Sequence, residues 1–437
     1  MTWLQRHRAR RYVADSIWIF PVLSMAAALG AVRLLSGVDA ALGWRSSFEP
    51  EAARSVLGAL ASTMFTLIVF VSSALLVAVQ LASGQLTPRI IALVFRDPIT
   101  KSSLTAFVFA FTFTLGALLR IDGVVPLATS TVAAYACVVS LGVFLVLIDH
   151  IGKALRPSGA SRSVALLGRA VIEGVYPRVL SEPRDPAHDP ADGLLLGEPS
   201  STVTSTTDGV VLAFDARGLA SLAVRADCLI ELVPEVGDFV AVGDPLFRIY
   251  RGGSTPSAAE LRGSVALGQE RTLEQDPAFA FRILVDVASK GLSPAINDPT
   301  TAVVAIDQIH HLLRTVGNRQ LDDGRVRDAA GRLRLLYRTP DWADFVRLAV
   351  TEIRHFGGTS IQVARRLRAM LENLIACLPE ERAALLLPEL ALLHRSTERA
   401  FPDPEDRALA GISDAQGVGG RPLPNPPASQ LNQAAPR

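Results

Sequence analysis

The sequence predicts an α-helical membrane protein with four transmembrane helices, followed by a cytosolic α+β region with a small β unit and a helical C-terminal part. Three observations carry that prediction. Long apolar runs crowd the chain before Asp149, short alternating runs follow from about residue 202, and Asp-Pro pairs then open amphipathic stretches. Composition agrees: 437 residues are 49% hydrophobic with a net charge of +1, and mean hydropathy is +0.32. That is too apolar for an ordinary soluble enzyme, and it lacks the basic surplus of a nucleic-acid binder. Cys137, Cys228 and Cys377 lie far apart, which excludes a disulfide framework and a zinc knuckle.

The membrane domain covers residues 1–160, with spans at about 16–36, 56–82, 102–119 and 124–148. Each meets or approaches the ~20 helical residues that a ~30 Å hydrocarbon core requires. The first span follows Arg6, Arg8, Arg10 and Arg11, as a cleaved signal peptide would, but its apolar run continues to Leu35. It is therefore read as an uncleaved anchor. Basic residues concentrate in the N-terminal arm, in the second connection (Arg89, Arg96, Lys101) and after the fourth span (Lys153, Arg156, Arg162, Arg169). The positive-inside rule then gives a multi-pass protein of the bacterial inner membrane with both termini cytoplasmic. Within the second connection, Thr87-Pro88 reads as cap and first turn of a short interfacial helix over 87–96.

In the second span Ser62, Thr66, Ser73 and Gln80 recur on one helical face, and no charge interrupts the run. Polar groups avoid lipid, so this face is expected to meet protein or water. Helix packing is one reading, since hydroxyl and small side chains allow close approach. The lining of a pore at an oligomer axis is the other. With no ionisable group mid-membrane, a conduction path would be passive.

A helix-like stretch and a Pro- and Asp-rich linker connect at 161–201, and a β domain is expected at 202–252. There Val210, Leu212 and Phe214 alternate, then Leu219, Leu222 and Val224, then Leu229, Glu231 and Val233. Its second half, Val236-Gly237-Asp238-Phe239-Val240 to Gly243-Asp244-Pro245-Leu246, resembles the half-motif of biotinyl/lipoyl-type barrel-sandwich domains. That resemblance implies a barrel-sandwich-like fold. It implies no carrier function, because such carriers load their group on a lysine and none occurs between Lys153 and Lys290.

A helical domain is expected over 260–400, and a disordered tail rich in Pro, Gly, Ala and Gln over 401–437. Asp276-Pro277 starts one helix, ending near Gly291, and Asp298-Pro299 starts the next, to about Val316. The corner between them holds Lys290, Ser293, Asn297, Asp298, Thr300 and Thr301, a set that suits a small anionic ligand at a helix N-terminus. Capping alone also accounts for these residue types. His310, His311 and Asp307 share one helix, too few ligands for a metal, and read as a solvated face. Arg365, Arg366 and Arg368 read as a solvated face or as partners for acidic groups. No catalytic, metal-binding or cofactor-binding residues are assigned, since no nucleotide, hydrolase or metalloprotease motif is present.

The strings Gln80-Leu81-Ala82-Ser83-Gly84-Gln85-Leu86-Thr87-Pro88-Arg89, Arg271-Thr272-Leu273-Glu274-Gln275-Asp276-Pro277 and Leu292-Ser293-Pro294-Ala295-Ile296-Asn297-Asp298-Pro299-Thr300-Thr301-Ala302 carry a family resemblance. Over about residues 10–400 the chain resembles a bacterial family of predicted membrane proteins, domain of unknown function number twenty-two fifty-four. Ala295 stands where glycine is expected, and Gly84 where a small polar residue is. The resemblance implies four spans and no particular activity. The partners expected are the bilayer, further copies of the chain as a homo-oligomer, and no nucleic acid. The function expected is an oligomeric channel with a cytosolic regulatory domain. The alternative is a non-conducting sensor or scaffold that binds an anionic ligand or a partner.

Overall fold

The computed structural model describes residues 2–85, 87, 89, 97–154, 156–182, 197–250 and 255–420. Most of the expected interfacial helix at 87–96, much of the linker and the end of the tail lie outside the described residues. The chain divides into two compact units, Met1–Ala160 and Ser161–Arg437.

The first unit opens with α1 (Trp3–Asp15), started by a capping box between Thr2 and Gln5. Four helices follow that are long and apolar enough to cross a membrane: α2 (Ile19–Leu42), α3 (Pro50–Gln85), α4 (Pro98–Leu118) and α5 (Leu127–Ala154). The third span begins four residues before its expected start. Asp97 caps it, accepting the Thr100 N–H at 2.8 Å, and Pro98 takes the first turn. Lys101 therefore lies inside the helix rather than at its border.

Small residues let these helices close on one another. Gly116 of α4 faces Val32 of α2, where an added Cβ would come within 3.1 Å of a methyl group. Ala28, Val32, Phe113, Ala117 and Ala133 form one core cluster, and Met64, Val71, Leu75, Phe107 and Leu147 another. One end is latched by Asp39, only 4% exposed at the end of α2. Its carboxylate accepts the N–H groups of Ala128 and Thr129 at 2.9 Å and the Thr129 hydroxyl at 2.7 Å. A side chain of α2 thus supplies the N-terminal cap of α5, satisfying amides that the bilayer would leave bare.

The helix α6 (Pro157–Val175) begins just before the boundary between the units. The second unit then builds two sheets from β1 (Ser201–Thr204), β2 (Gly209–Phe214), β3 (Leu229–Leu232), β4 (Phe239–Val240), β5 (Pro245–Tyr250), β6 (Val265–Gly268), β7 (Arg325–Arg327) and β8 (Leu333–Tyr337). One sheet runs β1-β5-β3-β8-β7 and the other β4-β2-β6. Neither closes, so the barrel-sandwich expectation reduces to a mixed α/β arrangement.

Two local readings are corrected here. Residues 216–225 form a helix, α7 (Ala216–Arg225), rather than a strand. Asp215 caps it, and Leu219, Leu222 and Ala223 are buried at helical spacing. The region from 260 onward is not wholly helical, since β6, β7 and β8 complete the sheets. Strand β8 lies parallel to β3, a pairing across about a hundred residues that no local pattern announces. Buried Arg334 fastens it, donating to Asp328 and Asp227 at 2.8 Å and to the Cys228 carbonyl at 3.3 Å.

After α8 (Ala258–Arg262), the helices α9 (Pro277–Gly291), α10 (Pro299–Gly317), α11 (Trp342–Phe356), α12 (Ile361–Cys377), α13 (Glu380–Ala384), α14 (Leu387–Ala400) and α15 (Pro404–Ala410) make the helical part. Both Asp-Pro starts fall where expected, with Asp276 and Asp298 as caps. The tail is another correction. Asp403-Pro404 opens α15, and residues 412–420 are tied down by Arg365 of α12, which is 1% exposed. Arg365 donates to the carbonyls of Ile412, Gly419 and Gly420 at 3.1, 3.2 and 2.8 Å. Asp414 organises the same turn by accepting the N–H groups of Gln416, Gly417 and Gly419. Arg365 is thus not part of a solvated face, while Arg366 and Arg368 take the other expected role and pair with Asp307 and Glu372. Carbonyls arriving from the tail, invisible to helical periodicity, compensate the buried guanidinium.

Arg365→Met is expected to raise amide exchange across 412–420 about a hundredfold while α9 keeps its protection, because charged hydrogen bonds each contribute roughly 1.5–3 kcal/mol. Hydrogen-exchange mass spectrometry on the full chain measures this, and unchanged exchange would remove Arg365 as the anchor.

Candidate functional site

On α3 the buried residues Leu57, Ala61, Met64, Val71, Leu75 and Ala78 recur at helical spacing and face the bundle. Ser62, Thr66, Ser73 and Gln80 lie about half a turn away at ~100° per residue, and all four are exposed. Packing against the chain's own helices therefore does not account for the stripe. Some of its cost is met locally. Thr66 donates to the Ser62 carbonyl at 3.0 Å, and the bordering Thr63 and Ser72 donate to Ala59 and Ile68 at 2.8 Å. Gln80 cannot do this, since an amide offers two donors and an acceptor. It makes no hydrogen bond among the described residues.

At the α9–α10 corner the structure brings the expected residues together but engages them internally. The Ser293 hydroxyl donates to the Lys290 carbonyl at 2.7 Å. The Thr301 N–H donates to Asp298 at 3.0 Å and its hydroxyl at 2.5 Å. Asn297 adopts φ +47, and its N–H donates to the Ser293 carbonyl at 2.8 Å. The Asp298 carboxylate thus stands at the N-terminus of α10, where an external anion would sit, while Asn297 and Thr300 stay exposed.

The neighbouring string does structural work of the same kind. Gln275 pairs with both backbone groups of Phe214, at 3.1 Å to its N–H and 3.4 Å to its carbonyl, extending β2 by a side chain. Arg271 pairs with buried Asp276, which also caps α9. Burial nonetheless pushes the Asp276 pKa up against the pull of Arg271. Gly237, at φ +98, leaves room for the Arg271 guanidinium, which a Cβ would meet at 2.4 Å.

The expected solvated face of α10 is also revised. Asp307 accepts from Arg366, 6% exposed, at 2.6 Å, and Arg366 donates to His310 Nδ1 at 3.2 Å. His310 Nε2 lies 2.9 Å from the Asn373 side-chain oxygen. A neutral imidazole with its hydrogen on Nε2 satisfies both contacts. Among the described residues no group of three or more His, Cys, Asp or Glu could hold a metal.

The family model described as "Predicted membrane protein (DUF2254)" matches residues 14–373. The chain belongs to this family. An uncharacterized protein of Mycobacterium bovis is 29% identical over 97% of this chain and 85% of its own length. An uncharacterized protein of Mycobacterium tuberculosis matches to the same extent. No solved structure matches. Two of the strings by which the chain resembles this DUF2254 family therefore map onto the β2–α9 junction and the α9–α10 corner. Sequence reasoning offered acidic partners for the arginines of α12, which Arg366 finds in Asp307 and Arg368 in Glu372, but it missed the tail carbonyls that hold Arg365. An Arg cluster followed by a Gly- and Asp-rich tail was the available signal.

His310 gives a pH dependence with a definite sign. Burial first, and Arg366 second, lower its pKa. Below the unfolded value of about 6.5 the unfolded chain binds the extra proton, so stability is complete above that pH and falls as pH drops toward the folded value. His310→Gln is expected to flatten the fall of Tm between about pH 7 and pH 5. An unchanged slope, read by scanning fluorimetry, would exclude His310 as its source.

Proposed function

We propose that this protein assembles as a homo-oligomer in the bacterial inner membrane, with both termini cytoplasmic, and that α3 lines a passive conduction path at the shared axis. The second unit then lies on the cytoplasmic side as the assembly and regulatory part. The observation that carries this reading is the outward polar stripe of α3, and Gln80 above all. Gln80 lies near the inner end of the span, and an amide fully deprived of hydrogen bonds costs about 4–8 kcal/mol, far more than a hydroxyl bonded within its own turn. Water at an axis, or the same face of another copy, removes that cost. The stripe carries no charged group between residues 56 and 82, which favours passive conduction over ion-coupled transport. The basic residues of the N-terminal arm and of the segment after α5 support the orientation.

The anionic-ligand reading of the α9–α10 corner is the weaker one, because Asp298 already occupies the helix end.

Purified protein in planar bilayers is expected to show conductance steps above empty membranes. Gln80→Leu and Thr66→Val are expected to reduce them severalfold, while Val138→Leu on the lipid-facing side of α5 leaves them unchanged. Membranes that stay silent, with the protein shown to be inserted, would contradict the channel and leave the non-conducting scaffold.

A further inference from the structure

A cavity of about 770 Å³ lies between α2, α4 and α5. Its rim residues Phe20, Tyr135 and Val139 are exposed, so it opens on the side of the bundle that meets lipid. Along α4 it runs from Pro98 to Ala110, about 18 Å at ~1.5 Å per residue, close to the depth of one leaflet of a ~30 Å core.

The walls are apolar in effect even though several carry hydroxyls. Ser24 lies 2.7 Å from the Pro21 carbonyl and 3.2 Å from that of Thr105. Ser102 donates to Ile99 at 3.1 Å and Thr105 to Lys101 at 2.7 Å. These hydroxyls spend their donors on backbone carbonyls, which leaves a surface suited to hydrocarbon.

One end of the cavity is different. Lys101 lines it and is 7% exposed. Its ammonium donates to the Ala14 carbonyl at the end of α1, and it has no carboxylate partner among the described residues. The carboxylate one turn before it, Asp97, is held by Thr100 and by His150 at 3.1 Å. Arg10 and Arg11 lie within a turn of Ala14 on α1, which buries no residue, and Arg11 pairs with Asp15 at 3.2 Å. A buried ammonium with two donors to spare, beside a basic helix, calls for an anion.

We propose that this cavity binds an anionic phospholipid, with one acyl chain along the α4 wall and the phosphate on Lys101. The two halves of the site require each other. A free phosphate has no use for the apolar slot, and a neutral apolar molecule leaves Lys101 uncompensated. Basic pockets between transmembrane helices recognise lipid headgroups by this pairing of charge and hydrocarbon.

The test is lipid retention by the full-length protein. Protein reconstituted in vesicles of equimolar phosphatidylglycerol and phosphatidylcholine is re-extracted in mild detergent, and the lipids that stay bound are counted by mass spectrometry. Phosphatidylglycerol is expected to be enriched about fivefold, the factor one juxtamembrane basic residue supplies. Lys101→Gln is expected to bring the ratio near one, and Ala106→Trp, which fills the cavity, to remove bound lipid of both kinds. Retention in the bulk ratio by the unaltered protein would overturn the proposal, whatever the variants do. Enrichment that survives Lys101→Gln would overturn it as well, and displacement of the lipid by millimolar inorganic phosphate would overturn the role of the acyl chain.

Discussion

A bilayer interior forms no hydrogen bonds, and many polar groups in the first unit are arranged around that fact. Thr63, Thr66 and Ser72 turn their hydroxyls onto carbonyls of their own helix. Asp39 reaches across to cap α5, and Lys101 reaches the carbonyl of Ala14. What these devices leave over is informative. Gln80, with Ser62 and Ser73 on the same face of α3, is exposed without such a device, and an amide is too demanding for a helix to satisfy alone. The surplus argues for a partner surface or water beyond the single chain.

The second unit solves the same accounting problem with different parts. An aspartate followed by proline opens α9, α10 and α15, as it opens α4 in the first unit. Each carboxylate takes an orphan amide while the proline presents none. The strings that resemble the family cluster where chain segments must be joined. Gln275 completes the edge of β2, Arg271 meets Asp276 beside Gly237, and Asp298 closes the corner into α10. Their chemistry is that of joints between chain segments.

How far the fold was legible follows the range of the interactions. The four apolar helices and the starts at Pro277 and Pro299 rest on local rules, and they lie where periodicity and capping put them. Residues 216–225 mislead because Leu219 and Leu222 fit a strand alternation only if Asp215 is not recognised as a cap. The parallel pairing of β8 with β3, the closure of 412–420 over Arg365 and the link of Arg366 to Asp307 join residues far apart in sequence, and nothing local distinguishes those arginines from surface ones. At the candidate sites the stripe on α3 was legible as a pattern, but its direction was not. Only the packing of Leu57, Met64 and Leu75 against the other helices turns it outward.

Spin labels at position 73 measure the central claim most directly, since they report whether that face meets its own copies. In a chain carrying Ser73→Cys with the exposed Cys377 replaced by Ser, pulsed dipolar spectroscopy in lipid nanodiscs reads the distance between protomers. A shared axis lined by α3 predicts short, well-defined distances at position 73 and much longer ones for a label at Val138, on the lipid-facing side of α5. Labels at position 73 with no dipolar coupling between chains would contradict the account.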